Sequence, residues 1–135
     1  MRHQLTLSAL AFCAASLPAA ATAQVEAGQL FAEHCAYCHG ADATGGGPLA
    51  PALVLQPKDL TRLAEENGGA FPVARVVMRI DGREPLVSHG SPMPIYGGFF
   101  GQSGRDAAIS TESGQPMLAA EEVVALTEYL RALQK

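Results

Sequence analysis

Residues 35–39 read Cys35-Ala36-Tyr37-Cys38-His39, and this stretch decides how the rest of the chain is interpreted. Two cysteines that are separated by two residues and followed at once by a histidine are typical of the attachment site of a c-type haem. The spacing suits the chemistry, because two thiols on one helical turn can add across the two haem vinyl groups while the adjacent imidazole ligates the iron. The motif therefore predicts one covalently bound haem, held by Cys35, Cys38 and His39.

Two other interpretations of the same residues stay open at this point. A zinc site would use Cys35, Cys38 and His39, with His34 or His89 as the fourth ligand. The adjacency of Cys38 and His39 would strain a tetrahedral site, which disfavours zinc. A thioredoxin-like dithiol would require a βαβ pattern near the motif, and the sequence has no such pattern.

The chain begins with a segment, residues 1–23, that is typical of a cleaved export signal. Its parts are those of a signal peptide, namely a positive start at Arg2, an apolar run over Leu5–Leu17 ended by Pro18, and the small-residue cleavage site Ala21-Thr22-Ala23. An uncleaved membrane anchor and a lipoprotein attached through Cys13 are the alternative interpretations. The two cysteines that remain after cleavage would form a disulfide in an oxidising compartment unless another group consumed their thiols. A covalently bound haem would consume both thiols, so export to the periplasm agrees with the haem motif.

The composition of residues 24–135 limits the classes of protein to which the chain can belong. Removal of a 23-residue signal from the 135-residue chain leaves 112 residues, which suffice for one modest core but not for a TIM barrel or a two-domain enzyme. These residues carry eight basic and 13 acidic side chains, a formal charge of −5, without a run of lysine or arginine. This balance argues against binding to nucleic acid and against docking on anionic lipid.

The second axial position of the iron requires a ligand from elsewhere in the chain. Met93 lies between two prolines, which fix the backbone and hold the thioether with little further loss of entropy. Met78 lies in an apolar helical run and Met117 lies directly before the last predicted helix, so we interpret both as packing residues. Met93 is the favoured ligand, and Met117 and His89 stay open as alternatives.

Hydrophobic periodicity predicts an all-α domain of four to five short helices that are joined by long Gly- and Pro-rich loops. Besides the turn of the motif itself, helices are expected over Val25–His34, Lys58–Asn67, Pro72–Ile80 and Ala119–Gln134. Asp59 is expected to cap the second of these, and Gly68 and Gly82 are expected to end the second and third. The loop over residues 83–95 is expected to present Met93.

These features together resemble a monohaem class I cytochrome c, over nearly all of the chain that follows the signal. Gly28 and Phe31 match the glycine and the aromatic residue of the family's N-terminal helix, and Tyr129-Leu130 matches the pair that the family packs against them. The stretch Met117–Leu133 resembles the family's last helix, and Met93-Pro94 resembles its distal ligand loop.

The resemblance implies a small cytochrome c fold around one haem, with His39 and Met93 as the axial ligands of the iron. It also implies a proline whose carbonyl accepts a hydrogen bond from the proximal histidine, and Pro48 and Pro51 both qualify. Residues 97–116 depart from the family pattern, because they form an unusually long, Gly-rich connection. This departure leaves the docking surface, and hence the partner, open.

The predicted function is that of a periplasmic electron carrier, a monomer that meets its redox donor and acceptor transiently and has no catalytic residues of its own. After cleavage of the signal we expect no stable membrane insertion. One alternative is the small haem subunit of a larger dehydrogenase or oxidase complex. The other is a haem sensor or a peroxidatic protein, which would require Met93 to be displaceable.

Two groups of side chains have both a functional and an ordinary structural interpretation. Phe99 and Phe100 either cover the haem or the core, or form an exposed docking loop. The three arginines around the third predicted helix form either a local basic patch or an ordinary solvated helix face, and these are Arg75, Arg79 and Arg83.

Overall fold

The computed structural model of the protein describes residues 19–84 and 93–135. Most of the predicted export signal, including Cys13, lies outside these residues, as does His89. Their assignments therefore stay predictions. Within the described ranges, no helix combines the length and the apolar character that crossing a bilayer requires.

The described chain contains five α-helices and one two-stranded sheet. In chain order these are α1 (Ala19–His34), α2 (Ala36–His39), α3 (Val73–Asp81), α4 (Gly97–Phe100), β1 (Asp106–Ser110), β2 (Pro116–Ala120) and α5 (Glu121–Ala132). Short 3₁₀ turns lie in the connections, at Ala50–Ala52, Leu60–Arg62, Glu65–Asn67 and Gly101–Ser103. The predicted small helical fold is confirmed, and the short sheet is an addition to it.

Helices α1 and α5 pack against each other through an aromatic contact. The ring of Phe31, which is only 2% exposed, lies with its centroid 5.4 Å from that of Tyr129. A Cβ on Gly28 would lie 3.5 Å from the Tyr129 ring, so the glycine faces the same contact. This is the pairing that the family resemblance implies. Helix α1 begins at Ala19 rather than at the predicted Val25, because the alanine-rich stretch before Val25 favours helix.

Helix α3 follows the prediction from its periodicity. Its buried side chains share one face and belong to the core, and they are Val73, Val76, Val77 and Ile80. The helix ends at Gly82, which has a φ of 86° and donates its N–H to the carbonyl of Met78. A left-handed residue at this position is the ordinary end of a helix, and glycine adopts that conformation without strain.

The helix predicted over Lys58–Asn67 is wrong in its type. The segment forms two 3₁₀ turns, Leu60–Arg62 and Glu65–Asn67. Asp59 does cap the first of them, as predicted, because its carboxylate accepts hydrogen bonds from the N–H of Thr61 at 2.9 Å and from its hydroxyl at 2.7 Å. Asp59 therefore caps a 3₁₀ turn, and the α-helix that it was expected to begin does not form.

The side chain of Gln134 explains why an α-helix does not form there. In an α-helix the N–H of Ala64 would donate to the carbonyl of Leu60. Instead, the side-chain oxygen of Gln134 accepts from Ala64 N–H at 2.9 Å, and its amide donates to the Leu60 carbonyl at 2.8 Å. One glutamine from the end of the chain thus satisfies both backbone groups that a helix would have paired with each other.

Residues 106–120 form a β-hairpin, where the sequence analysis expected a connection and the start of the last helix. Strands β1 and β2 are antiparallel, with Ile109 opposite Met117. Met117 and Ala119 lie in β2, so α5 begins at Glu121 and not at Ala119. Ile109 and Ala119 are buried on the face of the hairpin that packs against the core.

The hairpin is bonded to both ends of α3. At the N-terminal end, the carboxylate of Glu112 in the hairpin turn accepts the N–H of Ala74 at 3.2 Å. At the C-terminal end, the guanidinium of Arg83 donates to the Leu118 carbonyl of β2 at 2.9 Å and pairs with Asp81. A carboxylate at a helix N-terminus and a clamp at its C-terminus both stabilise α3 in its place.

We expect Glu112→Ala to lower the free energy of unfolding by about 0.5–1 kcal/mol, because α3 loses the acceptor at its first turn. Gln115→Ala is the matched control, since Gln115 is exposed in the same turn and its side chain has no hydrogen bond to the described residues. Urea unfolding of the haem-loaded protein measures both. Equal losses in the two variants would contradict the capping role of Glu112.

Candidate functional site

The residues of the haem motif lie on one turn that continues directly from α1. Cys35 follows the last residue of α1, and Cys38 and His39 lie in α2. The carbonyl of Cys35 accepts the N–H of His39 at 2.9 Å and that of Cys38 at 3.1 Å. The turn therefore carries two thiols and an imidazole close together, as attachment to a haem requires.

Both cysteines are free thiols and are partly buried. Burial, together with the neighbouring Cys38, raises the pKa of Cys35 to about 11. Among the described residues, no group of three or more His, Cys, Asp or Glu side chains is arranged to hold a metal ion. The zinc interpretation thus has no support in this part of the chain.

The ring of His39 is oriented by a backbone carbonyl. Its Nδ1 lies 3.3 Å from the carbonyl oxygen of Lys58, which makes Nδ1 the donor and leaves Nε2 as the nitrogen with a lone pair. The acceptor is thus neither Pro48 nor Pro51, the two prolines considered from the sequence. Burial lowers the pKa of His39, which favours the neutral imidazole that ligates metals.

The Gly45-Gly46-Gly47 triplet brings the following loop onto the attachment turn. Gly47 donates its N–H to the Cys38 carbonyl at 3.0 Å, and a Cβ on Gly47 would lie 2.5 Å from the Tyr37 oxygen and 2.6 Å from the Cys38 oxygen. Gly45 has a φ of 96°, which L side chains rarely adopt. Gly46 has neither constraint, since a Cβ there would meet nothing within 4 Å.

Met93 begins a described segment that contacts the C-terminus of α3. Met93 is partly buried against the core. Three residues later, Tyr96 donates its N–H to the Ile80 carbonyl at 2.8 Å and its hydroxyl to the His34 carbonyl at 2.7 Å. A Cβ on Gly97 would overlap the last carbonyl of α3, so the returning chain is in direct backbone contact with that helix.

The aromatic side chains after Met93 lie around the ring of His34. The His34 ring lies 5.4 Å from the rings of both Phe99 and Phe100 and 5.9 Å from that of Tyr96. Phe100 is buried in the core, as the structural interpretation expected, whereas Phe99 is 56% exposed. Phe100 therefore fits the structural interpretation, whereas Phe99 fits that of an exposed docking loop.

The three arginines around α3 do not form a basic patch. Arg79 pairs with Glu84 at 2.8 Å, and Arg83 pairs with Asp81. Of the three, Arg75 alone is exposed without an acidic partner among the described residues. The ordinary structural interpretation of these arginines is therefore the better one.

The residues of this site fit a haem on the chemistry of their donor set. Two partly buried thiols and an imidazole whose Nε2 is left for a metal lie on one turn, which is the set that covalent attachment requires. Large apolar side chains are also exposed in the loop that packs on this turn and beside Met93, namely Val54, Leu55 and Ile95. Exposed apolar groups of this kind suit an apolar ring.

The helical fold and the thiol–thiol–imidazole turn define the class of electron-transfer proteins with a covalently bound haem. The family model for Cytochrome c matches residues 25–134. The chain belongs to the cytochrome c family, and it carries haem c and iron for electron transfer, as predicted. Comparison with curated proteins and with solved structures gave no match.

Sequence reasoning missed three groups that shape this site. The carbonyl of Lys58 is a backbone group, and no side-chain pattern could have indicated it. Gly47 was visible within a glycine triplet, but the triplet alone does not show which glycine lies against the turn. Tyr96 was visible as an aromatic residue three positions after Met93, directly before two glycines, and that pattern could have drawn attention to it.

We expect Gly47→Ala to reduce the yield of haem-loaded protein and to lower its free energy of unfolding by about 1–3 kcal/mol, because the new methyl group overlaps the carbonyls of the attachment turn. Gly46→Ala is the matched control and should behave like the wild type, since its Cβ meets open space. Haem absorbance per protein and urea unfolding give the two readouts. A normal yield and stability for Gly47→Ala would contradict the close approach.

Proposed function

We propose that the protein is a periplasmic single-electron carrier in which Cys35 and Cys38 bind the haem through thioethers. His39 is the proximal ligand of the iron, and Met93 is the distal ligand. The observation that carries this proposal is the single turn that holds both thiols and an imidazole whose Nδ1 is occupied by the Lys58 carbonyl. The place of Met93, just before a segment bonded to the end of α3, supports its role.

His39 and Met93 would hold the iron of the haem and set its reduction potential. When bound, the haem supplies reversible one-electron chemistry at its iron. The hydrogen bond from His39 to the Lys58 carbonyl fixes the plane and the tautomer of the His39 imidazole. A methionine thioether as the second ligand favours ferrous iron and so raises the reduction potential. The four residues thus hold and tune the group without binding a substrate.

The proposed ligand set leaves no open position on the iron, so electrons would enter and leave without a bound substrate. Carriers of this kind use small interfaces that form and dissociate quickly. The formal charge of −5 on residues 24–135 favours a partner surface that is basic or mostly apolar. We propose that the carrier is a monomer and that donor and acceptor bind it in turn.

A second candidate function is that of a small haem subunit in a larger dehydrogenase or oxidase complex. It is favoured by large exposed apolar side chains other than those that suit the haem ring, namely Phe99 and Leu118. A stable partner would cover such groups. Copurification of the tagged protein from its native membrane and periplasmic fractions separates the two candidates.

A sensor or peroxidatic role is less well supported, because the segment beside Met93 is bonded at both Ile80 and His34.

The proposed location is the periplasm, reached by export and cleavage after Ala23. The family is typically found outside the cytoplasm, and the first 23 residues have the composition of a signal peptide. Mass spectrometry of the periplasmic protein is expected to give a chain that begins at Gln24 and carries one haem. A chain that keeps residues 1–23 and stays with the membrane would instead favour the anchored interpretation.

We expect Met93→Leu to keep its covalent haem but to lose the weak long-wavelength absorption band that a thioether ligand gives to ferric haem. Its reduction potential should fall, because the sulfur that favours ferrous iron is gone. Optical spectra and a redox titration measure the two effects.

Met78→Leu and Met117→Leu are the controls for this experiment, and both should keep the band. Loss of the band in Met117→Leu alone would transfer the ligand role to Met117. Haem that is released when the protein is denatured would contradict thioether attachment through Cys35 and Cys38.

A further inference from the structure

We propose that Tyr96 is a positioning residue for Met93, because it ties the chain beside Met93 to the residue that precedes the attachment turn. This inference rests on the proposed function, since it assigns a role to Tyr96 through the distal ligand. It goes beyond that function by naming the group that holds the two sides of the haem site together.

Tyr96 is attached to its surroundings at three points. Its backbone N–H donates to the Ile80 carbonyl at 2.8 Å, near the end of α3. Its hydroxyl donates to the His34 carbonyl at 2.7 Å. Its ring stacks on Phe100, with centroids 5.5 Å apart and planes inclined by 22°. Tyr96 therefore links α1, α3 and α4 through its backbone and its side chain.

The carbonyl of His34 is a significant acceptor because of its place in the chain. His34 is the last residue of α1, and the last carbonyls of a helix have no partner within it. The Tyr96 hydroxyl supplies a donor for that carbonyl, and the next residue is Cys35. The hydrogen bond thus joins the distal segment to a point one residue away from the first thiol.

The surroundings of Tyr96 keep this hydrogen bond in place. Burial raises the pKa of Tyr96 above its ordinary value, so the hydroxyl stays a donor at neutral pH. The rings of His34, Phe99 and Phe100 pack around the same place, at centroid distances of 5.2–5.9 Å. Because Met93 is only three residues from Tyr96, movement of the chain at Tyr96 also moves the sulfur of Met93.

Tyr96→Phe tests this role, because it removes the hydroxyl and keeps the ring that stacks on Phe100. Imidazole is the probe, since it competes with Met93 for ferric iron. We expect the affinity of the oxidised protein for imidazole to rise about 2- to 12-fold, the change that the net free energy of one hydrogen bond produces. The absorption band of the thioether ligand should weaken at a lower imidazole concentration than in the wild type.

Another tyrosine provides a matched control. Tyr129→Phe changes a residue that packs on Phe31 and keeps its ring. This variant should bind imidazole as the wild type does. Urea unfolding of both variants separates global stability from local release of Met93.

The outcomes distinguish the two proposals. Wild-type imidazole affinity in Tyr96→Phe would overturn the positioning role, and so would an equal rise in Tyr129→Phe that follows a loss of global stability. If the wild-type protein itself lacks the thioether band, then Met93 is not the ligand, and the proposed ligation falls together with this inference. A band in the wild type with no change in Tyr96→Phe removes this inference alone.

Discussion

The haem site depends on the packing of α1 against α5. Phe31 is buried against Tyr129, and the carbonyl of Phe31 accepts the N–H of Cys35 at 2.9 Å. The first thiol therefore lies one helical turn beyond a side chain that is fixed in the core. Because the attachment turn follows α1 directly, the position of α1 sets where both cysteines and His39 lie. The same contact relates this turn to α5, whose buried face forms part of the core.

A steric constraint in the loop after α2 then orients the ring of His39. Gly45 has a positive φ and lies so close to the Pro57 carbonyl that a Cβ would overlap it. This close approach brings the next residue, Lys58, near the attachment turn, where its carbonyl accepts from His39. Gly47 adds a second close approach at Cys38. The family resemblance implies that the carbonyl of a proline accepts the hydrogen bond from the histidine. Here two glycines let one loop contact the turn at two places, and a different carbonyl of that loop is the acceptor.

The features that were predictable from the sequence are those that a short stretch of chain determines. The haem motif, the buried stripe and Gly82 end of α3, and the Asp59 cap all rest on neighbours within a few residues. One failure involves a partner that is distant in sequence. Gln134 pairs backbone groups about 70 positions away, near Leu60, and so replaces the expected helix by 3₁₀ turns. The hairpin was missed because its strands are rich in alanine, which has no strand preference. The sequence therefore did not indicate that these two segments pair.

The hairpin changes how the stretch between Met93 and the last helix is understood. Glu112 binds the N-terminal end of α3, and Arg83 joins its C-terminal end to β2. The segment that follows Met93 is bonded to that same C-terminal end through the hydrogen bond from Tyr96 to Ile80. An element that holds α3 in place therefore also holds this segment. Residues 97–116 are thus better explained as part of an element that supports α3 and the segment after Met93 than as a simple connection.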